Sequence, residues 1–172
     1  LFLELTASEI AEKVLIDVGT GSGCLGITAK LERSNLSVIL SDISKPALNI
    51  AEKNANALNA DVHIQQQSLL NGQLKPVDYI FANLPYVDKD WDVSPELQYE
   101  PDIALFAEEE GLKLILQLIS QAPRCLTPEG LLFIEADPQQ HNRIIDEATK
   151  NGFVKERVLN YILVLRFTGA QD

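Results

Sequence analysis

Val14-Leu15-Ile16-Asp17-Val18, followed at once by Gly19-Thr20-Gly21-Ser22-Gly23, decides the fold of this chain. The first five residues form a short apolar run that stops at glycines, the pattern of a buried strand. Three glycines at alternate positions let the backbone turn tightly and pass close to a ligand. Helical spacing follows from about Cys24 to Glu32. Its first turn offers unpaired N–H groups and the positive end of a dipole, which suit a ligand carboxylate. Asp17, inside the strand end, is placed to hold either the glycine loop or a ligand ammonium. Gly21 to Gly26 also satisfies the dinucleotide fingerprint G-x-G-x-x-G, but there the first glycine should follow the strand directly, and here Gly19 does.

Working outward, short β-branched runs alternate with helical stretches. Val38-Ile39-Leu40 predicts a second strand ending at Ser41-Asp42, and Ser44 caps a helix with Pro46 in its first turn, running to about Leu58. Val62 to Gln66 reads as a third strand and Val77 to Ala82 as a fourth, ending at Asn83-Leu84-Pro85-Tyr86. A polar loop is expected next. A helix over residues 111–122 carries Leu112, Ile115, Leu116 and Ile119 on one face. Residues 130–135 predict a fifth strand, 141–150 a helix, and 153–158 with 161–167 a closing pair turned at Asn160. The expected class is α/β: a seven-stranded, mostly parallel sheet with an antiparallel C-terminal strand and helices on both faces. Such sheets bind ligands at the carboxyl ends of their strands.

The bulk numbers bound the function. With 172 residues, 46% of them hydrophobic, the chain predicts one domain over 1–172 with a real core. Fourteen basic residues stand against 25 acidic ones, a net charge of −11, which disfavours direct nucleic-acid binding and docking on an anionic membrane. No apolar run approaches a membrane span, and the opening Leu1-Phe2-Leu3-Glu4-Leu5 is too short for a signal sequence. Cys24 and Cys125 lie far apart and read as two buried small residues in a reducing, cytoplasmic setting. His63 and His141 have no partner motif and read as structural or surface residues. No metal spacing is present in the acidic stretch from Asp88 to Glu110, which contains Trp91 and is expected to be a solvated loop acting as a lid or docking segment.

Two further motifs carry chemistry. Asp42 ends the second strand about twenty residues past the glycines, where a carboxylate accepts hydrogen bonds from both ribose hydroxyls. That spacing fits NAD and S-adenosylmethionine equally. Asn83-Leu84-Pro85-Tyr86 discriminates between them. An amide nitrogen is a poor nucleophile because its lone pair is delocalised. A site that accepts hydrogen bonds from its N–H groups aims that lone pair at a methyl sulfonium. The Asn83 side-chain oxygen and the Leu84 carbonyl are suitable acceptors, Pro85 fixes the backbone, and the Tyr86 ring can lie against a planar group. Catalysis would then be positioning plus electrostatics, by direct in-line transfer.

On these motifs, from Val14 to Phe167, the chain resembles the class I methyltransferases with a Rossmann-like sandwich. Within that class it resembles the peptide chain release factor glutamine methyltransferases (the HemK/PrmC family). The resemblance implies S-adenosyl-L-methionine as cofactor and the glutamine amide of a protein, a release factor, as acceptor. It implies cofactor binding by Asp17, Gly19, Thr20, Gly21, Ser22, Gly23, Asp42, Ile43, Ser68, Leu69 and Asn83, and catalysis by Asn83, Leu84, Pro85 and Tyr86 without a metal. Tyr99-Glu100-Pro101, Ala104-Leu105, Gly111-Leu112, Phe133-Ile134-Glu135 and Gln139-Gln140 resemble further family segments. Ser68 stands where the family usually places an Asp, and Leu84 where it usually places Pro. The family's N-terminal helical domain has no counterpart, and the chain contains no Met, so a missing upstream part is expected. Three other readings stay open. Asn-Leu-Pro-Tyr also resembles the ribosomal-RNA adenine dimethyltransferases, which predict a basic surface and a C-terminal helical domain. An NAD-dependent oxidoreductase leaves Asn83 to Tyr86 unexplained. A catalytically inactive S-adenosylmethionine-binding or interaction module is the third.

Overall fold

A computed structural model of the chain describes residues 1–7, 11–73, 75–86 and 111–169. The expected acidic lid and the Tyr99 to Leu105 segment lie outside the described residues.

Seven strands, β1 (Lys13–Val18), β2 (Leu36–Asp42), β3 (His63–Gln66), β4 (Val77–Ala82), β5 (Leu126–Glu135), β6 (Phe153–Leu159) and β7 (Ile162–Phe167), form one sheet in the order β3-β2-β1-β4-β5-β7-β6. All neighbours are parallel except those of β7, which runs against both β5 and β6. This is the sheet expected from the sequence. The helices are α1 (Phe2–Leu5), α2 (Cys24–Glu32), α3 (Lys45–Ala57), α4 (Lys113–Gln121) and α5 (His141–Lys150).

Strand alternation divides the core into two layers. Ile16, Ile80, Leu132 and Leu163 face α4 and α5, meeting Ile115, Leu118, Ile119 and Ile144. Leu15, Leu40, Phe81 and Val164 face the other way, with Ile27 of α2 and Ala51 and Ala55 of α3. Strands buried on both sides show the continuous apolar runs seen in the sequence. On the second layer the Phe2 ring meets Tyr79, Phe81 and Phe133 edge-on, with centroids 5.0–5.6 Å apart. The opening Leu1 to Leu5 thus caps the aromatic end of this layer.

Local chemistry sets the boundaries. Ser44 caps α3, its hydroxyl accepting from the Ala47 N–H at 3.3 Å, with Pro46 in the first turn. Asn160, at φ +52, turns the β6–β7 hairpin. Three expectations need correction. β5 begins at Leu126 rather than at Gly130, because Leu126 already pairs with Val77 and the register shift around Glu129 (φ +65) is absorbed inside the strand. On α4 the buried stripe is Ile115, Leu118 and Ile119, with Leu116 half-buried. Cys24 is exposed, since it shares the outer face of α2 with Thr28, whereas Cys125 is buried and burial pushes its thiol pKa up. His63 is exposed on β3 and His141 buried, its Nε2 3.2 Å from the Ala136 carbonyl. No described helix is long and apolar enough to cross a membrane.

The layering sets unequal costs for truncation. Ile80→Ala, in the central strand, should lower the unfolding free energy by about 2–5 kcal/mol. Val154→Ala, on the edge strand and 41% exposed, should cost under about 1 kcal/mol. Urea titrations of both variants check this; equal losses would contradict the layer assignment.

Candidate active site at the carboxyl ends of the strands

The strand order turns at β1 and β4, and the loops leaving their carboxyl ends part there. A cavity of about 400 Å³ opens at this crevice. Its walls come from four strand ends: Val18 at the end of β1 with Gly19 and Gly21, Asp42 at the end of β2 with Ile43, Ser68 and Leu69 after β3, and Asn83 to Pro85 after β4. Leu114 of α4 closes the side. The volume lies in the usual range for small-molecule pockets.

The glycine loop is held from both sides. Asp17 is 2% exposed, and its Oδ2 accepts from the Thr20 hydroxyl at 2.6 Å and the Gly26 N–H at 3.0 Å. Gly19 and Thr20 both donate from their backbone N–H to the Ser41 carbonyl, and Gly21 N–H donates to Asp42 Oδ2 at 3.0 Å. Gly19, Gly21 and Gly23 all take positive φ, a backbone that other residues adopt only with strain. Gly19 is also squeezed: a Cβ there would lie 2.8 Å from the Leu84 side chain.

The sequence-derived residues therefore split. Gly19, Gly21, Asp42, Ile43, Ser68, Leu69, Asn83, Leu84 and Pro85 share one cavity wall. Asp17, Thr20, Ser22, Gly23 and Tyr86 do not line it. Asp17 and Thr20 face inward onto each other, Ser22 takes the Asn54 amide on its carbonyl, and Gly23 starts α2. Tyr86 turns aside, its hydroxyl donating to Glu135 Oε1 at 3.3 Å. Burial and the Glu135 carboxylate push the Tyr86 pKa up to about 12.

Asp42 presents its carboxylate at the cavity while Oδ1 accepts from the Ser44 N–H at 2.8 Å and Oδ2 from Gly21. A carboxylate has about four acceptor positions, so two remain for ligand hydroxyls. Ile43, 62% exposed, stands at the rim as an uncovered apolar surface. Gln67 also lines the wall, and its Nε2 is buried without a partner among the described residues while its Oε1 accepts from Gln65. An orphaned donor beside a polar-rimmed cavity suits a ligand with acceptor nitrogens. Among the described residues no group of His, Cys, Asp and Glu is gathered for a metal.

The family model for the methyltransferase small domain matches residues 1–98. The chain belongs to that family. Proteins similar to it include the release factor glutamine methyltransferase of Lactococcus lactis, 37% identical over 73% of this chain and 48% of the relative. That of Deinococcus radiodurans is 34% identical over 83% of this chain and 52% of the relative. The chain spans about half the length of these curated relatives. Among solved structures, the ribosomal protein L11 methylase of Lactobacillus delbrueckii subsp. bulgaricus superposes with a TM-score of 0.69 at 26% identity, over 99% of this chain and 76% of that one. TrmN of Thermus thermophilus superposes at 0.70 with 20% identity, over 95% and 46%, a likeness of fold.

The sequence alone carried no role for Gln67, Gly111 or Gln140. Asp137-Pro138-Gln139-Gln140 has the spacing of a capping box, which is readable locally. The second bond of Gln140, Nε2 to the Tyr86 carbonyl at 2.8 Å, spans 54 positions and leaves no local signal.

Asp17 also sets a pH dependence. Burial raises its pKa from 3.8 to about 6, against the opposing bonds from Thr20 and Gly26. A folded-state value above the unfolded one means the folded chain holds the proton more tightly. Stability from this group is thus full below about pH 4 and is lost as pH rises through about 6, by about 2–3 kcal/mol. Asp17→Asn removes the titration. Its stability relative to the parent chain should rise by that amount between pH 4 and 7, and a flat difference in denaturant titrations would contradict the assignment.

Proposed function

We propose that residues 1–172 form the catalytic domain of an S-adenosylmethionine-dependent methyltransferase. Its acceptor is the side-chain amide nitrogen of a glutamine in a protein, a peptide chain release factor, in the cytoplasm. The observation that carries this reading is the arrival of Asn83, Leu84 and Pro85 in the same cavity as Gly19, Gly21, Asp42 and Ser68. An acceptor-orienting motif and a nucleoside-binding wall share one space. The curated relatives named as release factor glutamine methyltransferases support the choice of acceptor.

The residues fit the cofactor. Asp42 offers its free acceptor positions to the ribose hydroxyls. Ile43 and Leu69 supply apolar surface for the adenine ring, with Ser68 at its edge. Gly19 and Gly21 keep the loop free of side chains, so the backbone can approach the methionine end, and Thr20 and Gly23 shape that loop from behind. Ser22 completes the turn. When bound, S-adenosylmethionine supplies the activated methyl group and a neutral thioether leaving group.

The protein then has only to aim the acceptor. Asn83 is exposed at the end of β4, and its side-chain oxygen accepts one amide N–H while the Leu84 carbonyl accepts the other. This turns the nitrogen lone pair toward the methyl group. Pro85 contributes no competing donor. The amide proton leaves to solvent as the new bond forms, and no metal or covalent intermediate enters. Tyr86, turned aside and held at its hydroxyl by Glu135, anchors the end of the motif.

Calorimetry with S-adenosylmethionine, S-adenosylhomocysteine and NAD tests the cofactor reading. The first two should bind and NAD should not. Asp42→Ala should weaken S-adenosylhomocysteine about 10- to 100-fold, the loss of hydrogen bonds to a charged acceptor. Preference for NAD would overturn the proposal. Asn83→Ala should lower methyl transfer to release-factor glutamine by roughly 100-fold or more with cofactor affinity changed less than about twofold. Parallel loss of turnover and cofactor binding would mean that Asn83 serves the cofactor instead.

A further inference from the structure

Residues 83–86 lie beyond the last paired residue of β4, Ala82, so no strand ladder fixes them. Yet the proposed role of Asn83 requires its aim to hold within a fraction of an ångström. The restraint comes from the far side of the sheet end. Gln140 is 5% exposed and closes the single turn of 3₁₀ helix at 138–140. Its Oε1 accepts from the Asp137 N–H at 3.1 Å, and the Asp137 carboxylate accepts from the Gln139 N–H at 2.8 Å. Its Nε2 donates to the Tyr86 carbonyl at 2.8 Å. The orientation of this carboxamide is forced, because one neighbour is a donor and the other an acceptor.

The Tyr86 carbonyl has nowhere else to go. Gly111 (φ +79) lies against it so closely that a Cβ would collide with the carbonyl oxygen and come within 2.8 Å of Gln140 Nε2. At the other end of the same residue the hydroxyl is tied to Glu135. Gln140 itself does not line the cavity. We infer that Gln140 is a positioning residue for methyl transfer: through the Tyr86 carbonyl it sets the backbone that aims Asn83 and the Leu84 carbonyl at the acceptor amide. This rests on the reading of Asn83 given above.

Gln140→Glu removes the donor to the Tyr86 carbonyl and keeps an acceptor in the same place. The introduced carboxylate still accepts from Asp137 N–H but cannot donate to Tyr86, and it sets a negative oxygen against the carbonyl. Burial beside a carbonyl raises the pKa of a carboxyl group, so lowering the pH restores a donor. At alkaline pH, turnover of Q140E should fall roughly ten- to hundredfold relative to the parent chain, while S-adenosylhomocysteine affinity stays within about twofold. The ratio of the two rates should recover as pH falls toward about 6. Gln140→Ala should lose turnover without that recovery. A pH-independent ratio, or parental turnover in Q140A, would overturn the role. A readout independent of the acceptor separates this from the proposed function: the Tyr86 carbonyl ¹³C and Asn83 side-chain amide resonances of Q140E should follow the titration of the introduced carboxyl. Asn83 resonances that do not move would sink the positioning role. A parent chain that binds the cofactor but methylates no release-factor glutamine would sink the substrate assignment instead.

Discussion

A buried carboxylate holds the glycine-loop end of this molecule together. Asp17 sits on the α2 face of β1, and its Oδ2 draws in both the Thr20 hydroxyl and the Gly26 N–H. The chain must leave β1, reverse, and enter α2 within five residues, and these two bonds close that reversal from below. Gly26 is part of the same solution, since a Cβ there would lie 3.1 Å from the Asp17 carboxylate. The arrangement carries a cost. Desolvation lifts the Asp17 pKa to about 6, so at neutral pH the turn is held by a charge that burial disfavours. From above, the same turn hangs on Ser41 and Asp42 at the end of β2. Loop geometry and cavity wall are therefore one network, and the fold itself sets the cavity side of Asp42.

The opposite wall depends on a different kind of restraint. Leu84 stands where the resembled family usually has proline, and the exchange gives up the fixed φ of that ring. Here the side chain supplies what the ring would have supplied. Leu84 is buried in the core layer below α4 and packs over Gly19, whose missing Cβ leaves the room. The exchange alters the side chain and leaves the backbone carbonyl in place, and Leu84 lines the cavity. The two halves of the site, the glycine loop and the Asn83 stretch, thus touch through an apolar contact at the switch point of the sheet. Pulling one away exposes the other.

Most of the fold was legible because its signals are local. The strand runs at Val14 to Val18 and Val77 to Ala82, the Ser44 cap and the hairpin at Asn160 each follow from neighbours within a few positions. The motif residues were placed for the same reason: the glycines and Asn83 follow strands directly and Asp42 ends one, where parallel sheets place their sites. What was not legible depends on distance. The start of β5 at Leu126 is decided by pairing with Val77, forty-odd residues upstream in the chain. The exposure of Cys24 follows from which face of α2 meets Leu40 and Ala51, not from cysteine's usual preference. The restraint on Tyr86 joins elements 54 positions apart.

Three aspartates at three strand positions show how far residue type alone can carry the argument. Asp17, Asp42 and Asp78 each accept a backbone N–H, from Gly26, Gly21 and Val14 respectively. Asp78 also takes Lys13 Nζ at 3.1 Å and the Thr127 hydroxyl at 3.2 Å, tying β1, β4 and β5 together at their amino ends. Its charge is matched by a lysine, so it stabilises without needing a ligand. Asp17 is closed over by its own loop and shapes the site without entering it. Only Asp42 keeps acceptor positions turned to open space in the cavity. The chemistry is the same in all three, and the fold leaves hydrogen bonding incomplete at a cavity wall in the one that ends β2. The same reasoning separates Gln140, with both ends of its amide engaged, from Gln67, whose buried Nε2 has no partner among the described residues. A satisfied polar side chain builds the site, and an unsatisfied one at the wall is where the ligand has something to complete.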